Sequence, residues 1–322
     1  MLAIFATTFP FFALVLCGYI AVRRQLLPQL AIPGMNGFVL YFALPCLLYR
    51  FGSTTPVRQL LDPGVFAVYL LAALLMVGIT MSVTLRRRGG QGWNNAAFGA
   101  LVAAFPNTGF MGVPLLVALL GPRASGPVIV TMVIDLIITT SLCIALSRLG
   151  QGGASSGQGS AAAARAALVG MLRNPMPWSI ALGALASASA LELPGPVART
   201  VGLLADAASP VALFTIGAVL ARSQMNASGP TPLGDFVPVA LAKLVLHPLL
   251  ILGLGHAAIR AGAPLDPFSL TVLVLVACLP SASNVALLSE KFGADTGRIA
   301  RIILVSTALS FLTFSASVAL LT

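Results

Sequence analysis

The chain has 322 residues, of which 58% are apolar and only 8% charged, and its mean hydropathy is +1.00. Soluble domains carry roughly 45–50% apolar and 25% charged residues, and so few charges cannot cover that much apolar surface. The composition excludes a soluble enzyme, a disordered chain and a secreted disulfide scaffold, and predicts a polytopic membrane protein. The 18 Lys and Arg against 8 Asp and Glu give a net charge of +10. The basic residues stand in short runs between apolar segments, which is positive-inside bias rather than a nucleic-acid footprint.

Ten apolar segments are predicted, at about 2–22, 34–52, 64–85, 94–121, 125–147, 175–192, 206–222, 236–259, 268–289 and 299–321. The first has no basic residue ahead of it and is followed by Arg23 and Arg24, the reverse of a secretory signal. The fourth contains Pro106 and the ninth Pro280, each about twelve residues in. A break at that depth must be sheltered by protein or line a cavity. Between the fifth and sixth segments, residues 150–160 have linker composition, and 161–173 read as an amphipathic surface helix with Arg165 and Arg173 toward headgroups. The expected organisation is a first five-helix repeat over 1–148, a cytoplasmic linker and helix over 149–174, and a second repeat over 175–322.

Connections after odd-numbered segments carry twelve Lys and Arg, among them Arg86–Arg88 and Arg298, and those after even-numbered segments carry five. The richer side is expected to be cytoplasmic, which puts both termini outside a bacterial-type inner membrane. Trp93 and Trp178 fall where interface anchors would on the cytoplasmic side. The four cysteines, Cys17, Cys46, Cys143 and Cys278, all lie in apolar stretches and read as small buried residues, neither disulfides nor a metal site.

The two halves echo one another. FALPCLLYRFGS (42–53) matches AASPVALFTIGA (207–218), aligning Pro45 with Pro210. FPNTGFMGVPLLVALLG (105–121) matches LPSASNVALLSEKFG (279–293), aligning Pro106 with Pro280. Five segments per half is an odd number, so the second copy must be inverted in the membrane. Inverted repeats with paired interrupted helices point to a secondary transporter whose site lies near the midplane. After Pro106 come Asn107, Thr108 and Gly109; after Pro280 come Ser281, Ser283 and Asn284. Asn, Thr and Ser are good N-caps, and the amides and positive dipole end of a half-helix attract anions. These six residues, with the two prolines, form the predicted substrate site, and mere proline kinks are the competing explanation.

At these residues the chain resembles a family. PNTGFMGVPLL (106–116), DAASPVALFTIGAVLA (206–221), KLVLHP (243–248) and LPSASNVALLSEKFGADTGRIARIILVSTALS (279–310) are similar to bacterial members of the auxin efflux carrier family. The resemblance covers nearly the whole chain. It implies an all-α fold of ten transmembrane helices as two inverted five-helix repeats, with the proline-broken fourth and ninth helices crossing. It also implies a homodimer, with segments 1, 2, 6 and 7 as scaffold and the remainder as a moving transport domain. Family substrates are small organic anions: auxin in plants, dicarboxylates such as malonate or malate among bacterial members. The long central loop of the plant carriers is missing here.

Asp135 in the fifth segment and Lys243 in the eighth are intramembrane charges, costly and functional by default. They could pair with each other, or Asp135 could bind a coupling H+ or Na+; a purely structural ion pair is the bland reading. His247 reads as a helix–helix hydrogen bond more than a proton relay. Residues 153–157 match G-x-S-x-G, but in a linker with no strand before it. No HExxH, GxxxxGK[ST] or GxGxxG occurs, so no enzyme, nucleotide or cofactor is expected. Asn226-Ala227-Ser228 is a glycosylation pattern in a connection expected to be cytoplasmic. The function expected is alternating-access transport of small organic anions such as mono- or dicarboxylates. A channel or a substrate-sensing membrane receptor on the same scaffold is the rival.

Overall fold

The structure is a computed structural model that describes residues 2–56, 60, 62–86, 92–149, 175–225 and 232–321. The expected linker and amphipathic helix over 150–174, the Arg87–Arg88 connection and the 226–228 pattern lie outside these residues. The described chain is helical, without a strand. Its helices are α1 (Leu2–Arg23), α2 (Ala31–Thr54), α3 (Pro63–Arg86), α4 (Trp93–Ala104), α5 (Thr108–Leu120), α6 (Pro122–Arg148), α7 (Pro175–Ala188), α8 (Gly195–Met225), α9 (Leu233–Arg260), α10 (Pro267–Cys278), α11 (Asn284–Lys291) and α12 (Thr296–Leu321). Six of these, α2, α3, α6, α8, α9 and α12, have the length and composition to cross a bilayer. The predicted fourth and ninth segments are each divided, α4 from α5 and α10 from α11, at Pro106 and Pro280.

Helix α8 begins eleven residues before the apolar segment that marks it. Its opening stretch, through Arg199 and Thr200, is exposed, so hydropathy alone misses it. Pro196 is harmless there, because amides of a first turn have no partner within the helix.

Local widening to π turns occurs at Val39–Ala43, Thr108–Gly112, Asp135–Thr139 and Ala242–Leu246. Three of these end two residues before a proline: Pro45, Pro114 and Pro248. A proline removes one amide donor and presses its ring on the carbonyl four residues back, and the wider turn relieves that clash. For Pro114 the carbonyl concerned is Phe110, which accepts the Ser209 hydroxyl at 2.9 Å. No proline follows the π turn at Asp135. There the Asp135 carbonyl takes both the amide and, at 2.7 Å, the hydroxyl of Thr140.

The chain gathers into two compact units: Met1–Asp62, Gly109–Val130 and Asn174–Ala227 in the first, Pro63–Thr108, Thr131–Arg173 and Ser228–Thr322 in the second. Each draws on both sides of the central linker, so neither coincides with one half of the chain. The first holds predicted segments 1, 2, 6 and 7, and in addition Gly109–Val130.

In the first unit α1 packs along α8, and α2 packs on α7 and α8. The α1–α8 contact is backbone on backbone: a Cβ on Gly18 would lie 1.8 Å from the Phe214 carbonyl oxygen, and one on Gly217 the same distance from that of Val15. In the second unit α3 packs on α4 and α9, and α12 packs on α9, α10 and α11. Its interior holds Tyr69, Phe98, Met76, Phe314 and the alternating aliphatics of α10, all fully buried.

Candidate functional site

A helix interrupted inside a membrane must re-satisfy the backbone groups it frees. In the second unit the two interruptions do this for each other. Asn107 donates its amide to the Pro280 carbonyl at 2.8 Å, and Ala282 donates to that of Phe105 at 2.9 Å. These two bonds flank an isolated antiparallel bridge between Pro106 and Ser281. Ser281 donates its own amide to Ser306 Oγ on α12 at 3.2 Å. The Thr108 amide and hydroxyl both turn back on the Pro106 carbonyl, at 2.8 and 3.2 Å.

The amides of Asn107, Thr108, Ser281 and Ala282 are therefore used, and an anion at the breaks would have to be met mainly by side chains. Buried side chains are present there. Asn107, Thr108 and Ser281 are at most 4% exposed. Ser281 Oγ and Asn284 Oδ1 are buried with no hydrogen-bond partner among the described residues. A buried polar atom left unpaired costs roughly 1–3 kcal/mol; the Ser281 hydroxyl could recover that by donating to an anion, whereas Asn284 Oδ1 only accepts and the Asn284 carboxamide would meet an anion through Nδ2. The expected capping differs in detail: Ser283 is the N-cap residue of α11 but makes no side-chain cap, and Asn284 is the first residue inside the helix. Gly109 lies in the π turn that opens α5.

Asp135 and Lys243, singled out as charges within apolar segments, are both fully buried in the second unit. They form no direct ion pair among the described residues, where Arg50–Asp206 at 2.6 Å is the pair found. Intermediate side chains join them instead. Asp135 Oδ2 accepts the Tyr69 hydroxyl at 2.6 Å, and Oδ1 accepts that of Thr139 at 3.0 Å. The Tyr69 and His247 rings lie 6.0 Å apart between centroids. His247 Nδ1 lies 3.4 Å from Lys243 Nζ, which also donates to the Ala277 carbonyl at 2.5 Å. With Lys243 charged, Nδ1 must accept, so the imidazole proton sits on Nε2. That atom is buried and without a partner among the described residues.

Two members of this architecture escape sequence reading. Tyr69 is one apolar-looking residue in the stripe of α3, and only the carboxylate facing it gives its hydroxyl a purpose. Arg298 counted as a connection charge, yet it is 2% exposed. Its guanidinium donates to the carbonyls of Asp235 and Asn95 at 2.9 and 3.0 Å, over a position where only Gly99 leaves room. A cavity of about 140 Å³ lined by Thr80, Thr84, Pro238, Val239 and Arg298 is bordered by none of the predicted site residues. The four cysteines are free, and Cys17 is exposed rather than buried. Among the described residues no three His, Cys, Asp or Glu side chains group as metal ligands would.

Apolar spans, two helices broken at prolines and pinned to each other, and charges buried inside the bundle define the class: an integral membrane protein of transporter type. Residues 3–317 match the family described as membrane transport protein, and the chain belongs to it, the auxin efflux carrier family. It is 31% identical over 309 residues to a Rhizobium meliloti (strain 1021) protein named "Putative malonate transporter", covering 94% of this chain and 91% of that one. It is 26% identical over 293 residues to "Uncharacterized transporter YfdV" of Escherichia coli (strain K12), covering 89% and 88%. Over 113 residues it is 31% identical to auxin efflux carrier component 4 of Arabidopsis thaliana, covering 35% of this chain and 18% of that protein.

Proposed function

We propose that this chain is a secondary active transporter of small organic anions, mono- or dicarboxylates with malonate as the first to test, working by alternating access. The observation that carries the reading is the pair of helix breaks bonded to each other, with the Ser281 hydroxyl, a donor a carboxylate can use, buried and unpartnered beside them. Pro106 and Pro280 free the backbone. In this reading the substrate residues are Asn107, Thr108 and Gly109 after the first break and Ser281, Ser283 and Asn284 after the second. The carboxamides and hydroxyls of those residues would take the carboxylate, whose charge the N-terminal end of α11 favours. Asp135 would carry the coupling H+ or Na+, with Lys243 as its counter-charge. The scaffold in this reading is ten spans in two inverted repeats, 1–148 and 175–322, dimeric, in a bacterial-type inner membrane with both termini outside.

Proteoliposomes loaded with unlabelled malonate and diluted into a labelled trace provide the test. Saturable counterflow that Asn107→Ala and Asn284→Ala weaken is the expected result. Ohmic malonate currents far above carrier rates would make the protein a channel. Binding without flux would make it a receptor on the same scaffold.

A further inference from the structure

Helix α10 is a short dipole with both ends dressed. At its start Asp266 accepts the Ser269 amide at 3.0 Å and hydroxyl at 2.5 Å, a carboxylate at the positive end. At the other end the last four carbonyls lack partners within the helix and carry its negative pole. One of them, that of Ala277, receives Lys243 Nζ from α9 at 2.5 Å. Three residues further on, the Pro280 carbonyl takes the Asn107 amide and the break begins. Lys243 thus grips α10 at the threshold of the proposed substrate site.

The same lysine stands at one end of the buried polar line. Its other neighbour, His247, packs on Tyr69, whose hydroxyl is on Asp135. Cys143 on α6 and Cys278 on α10 are the further titratable side chains within electrostatic reach of Asp135 and Lys243. Both residues lie in π turns, a rare helix geometry that recurs at functional sites.

We infer that Lys243 is a positioning residue: it holds the C-terminal end of α10, and with it the Leu279–Ser283 break, and joins that break to the Asp135 carboxylate through His247 and Tyr69. This deepens the transporter reading and rests on it only for the purpose of the link, because the grip itself is a property of the helix end. A change at Asp135 would be felt at the break through this line, and a change at the break would be felt at Asp135.

The experiment uses the full chain in nanodiscs, with Cys17, Cys46, Cys143 and Cys278 replaced by Ala and Ser283→Cys as reporter. Its readout is the rate of maleimide labelling. Lys243→Met should label about tenfold faster than the parent, the change expected for losing one hydrogen bond to a charged group. Val245→Ala, in the same π turn but exposed, should label at the parental rate. Asp135→Asn and Lys243→Met should combine non-additively, as members of one network do. Where Lys243→Met fails to fold, Tyr69→Phe removes one hydroxyl from the line and should still accelerate labelling. Labelling of Lys243→Met, or of Tyr69→Phe in its place, within about twofold of the parent, or simple additivity with Asp135→Asn, overturns the inference. Malonate affinity of Asn107→Ala and Asn284→Ala, measured without the Ser283→Cys reporter, separates the two claims. If Asn107→Ala and Asn284→Ala bind malonate like the parent, the anion site is wrong while the labelling result still decides the role of Lys243.

Discussion

The two compact units are held together by different physics. In the first, the buried polar side chains among the described residues are the hydroxyls of Thr8, Thr55, Ser125 and Thr215. Its helices meet through glycines that let backbones touch. In the second lie the buried acidic and basic residues of the described chain, Asp135, Lys243, His247 and Arg298, together with Tyr69, Cys143 and Cys278. Apolar side chains are as comfortable in lipid as against protein, so close packing is what holds membrane helices together, and polar interiors are retained for work. The first unit has the chemistry of a frame; the second carries groups that can bind and respond to charge. If that contrast is right, stability and transport should fail in opposite orders across a set of substitutions.

The largest loss of stability belongs to the frame. Gly217→Leu puts a side chain where even a Cβ would be 1.8 Å from the Val15 carbonyl oxygen. Neither atom lies on a flexible tip, so α1 and α8 must part. We expect a loss of about 4 kcal/mol or outright failure to assemble, beyond the usual cost of overpacking. Gly202→Ala in the same helix meets nothing within 4 Å and should melt like the parent. Equal melting temperatures for the two variants in detergent would dissolve the distinction between the units.

Arg298→Met comes next. It strips a charged donor from the Asp235 and Asn95 carbonyls in the second unit, and a hydrogen bond to a charged group is worth roughly 1.5–3 kcal/mol. A drop of about 3 kcal/mol, read as a lower melting temperature, with malonate affinity of the surviving folded protein unchanged, is the expected pattern. A lost affinity without a lost melting temperature would move Arg298 from architecture into the transport site.

Asp135→Asn is smaller for folding and larger for function. The amide keeps an oxygen for Tyr69 or Thr139, so stability should change by about 1 kcal/mol or less, the scale of one neutral hydrogen bond. The carboxylate that would exchange a cation is gone. Malonate uptake into proteoliposomes should lose its dependence on an imposed pH or Na+ gradient. Uptake that keeps both dependences would leave Asp135 as a structural residue.

How far these roles were readable in the sequence differs from residue to residue. Pro106 and Pro280 announced their breaks because proline in an apolar run has few acceptable places. The pairing of the breaks was not readable, since it depends on two segments about 170 residues apart. Three of the π turns follow from Pro45, Pro114 and Pro248, but only once the helix is known to continue through them. Arg298 looked like a loop charge because its burial is made by Gly99 and by the carbonyls of other helices, none of them near it in the chain. Asp135 and Lys243 were conspicuous as charges. His247 stood out with them; the hydroxyl that completes the line did not, because Tyr69 is an ordinary residue for a span.

The smallest effect on folding is expected at Asn284, where the contrast is sharpest. An asparagine serving as an N-cap would cost about 0.5–2 kcal/mol on conversion to alanine. Asn284 is not in that position: Ser283 precedes it at the cap, and the Asn284 side-chain oxygen is buried and unpartnered among the described residues. Removing an unsatisfied buried acceptor relieves a penalty, and alanine is the better helix former. Asn284→Ala should therefore melt at or slightly above the parental temperature. A hydrogen bond from the Asn284 Nδ2 group to a charged ligand is worth roughly 1.5–3 kcal/mol, so the same variant should bind malonate about 10- to 150-fold more weakly. Stability kept and affinity lost, in one variant, is the behaviour of a residue retained for its ligand at the expense of the fold. Calorimetric binding beside a thermal melt reads both. A stable variant with parental affinity would mean that the Asn284 carboxamide does not donate to substrate, and that the paired breaks serve the fold alone.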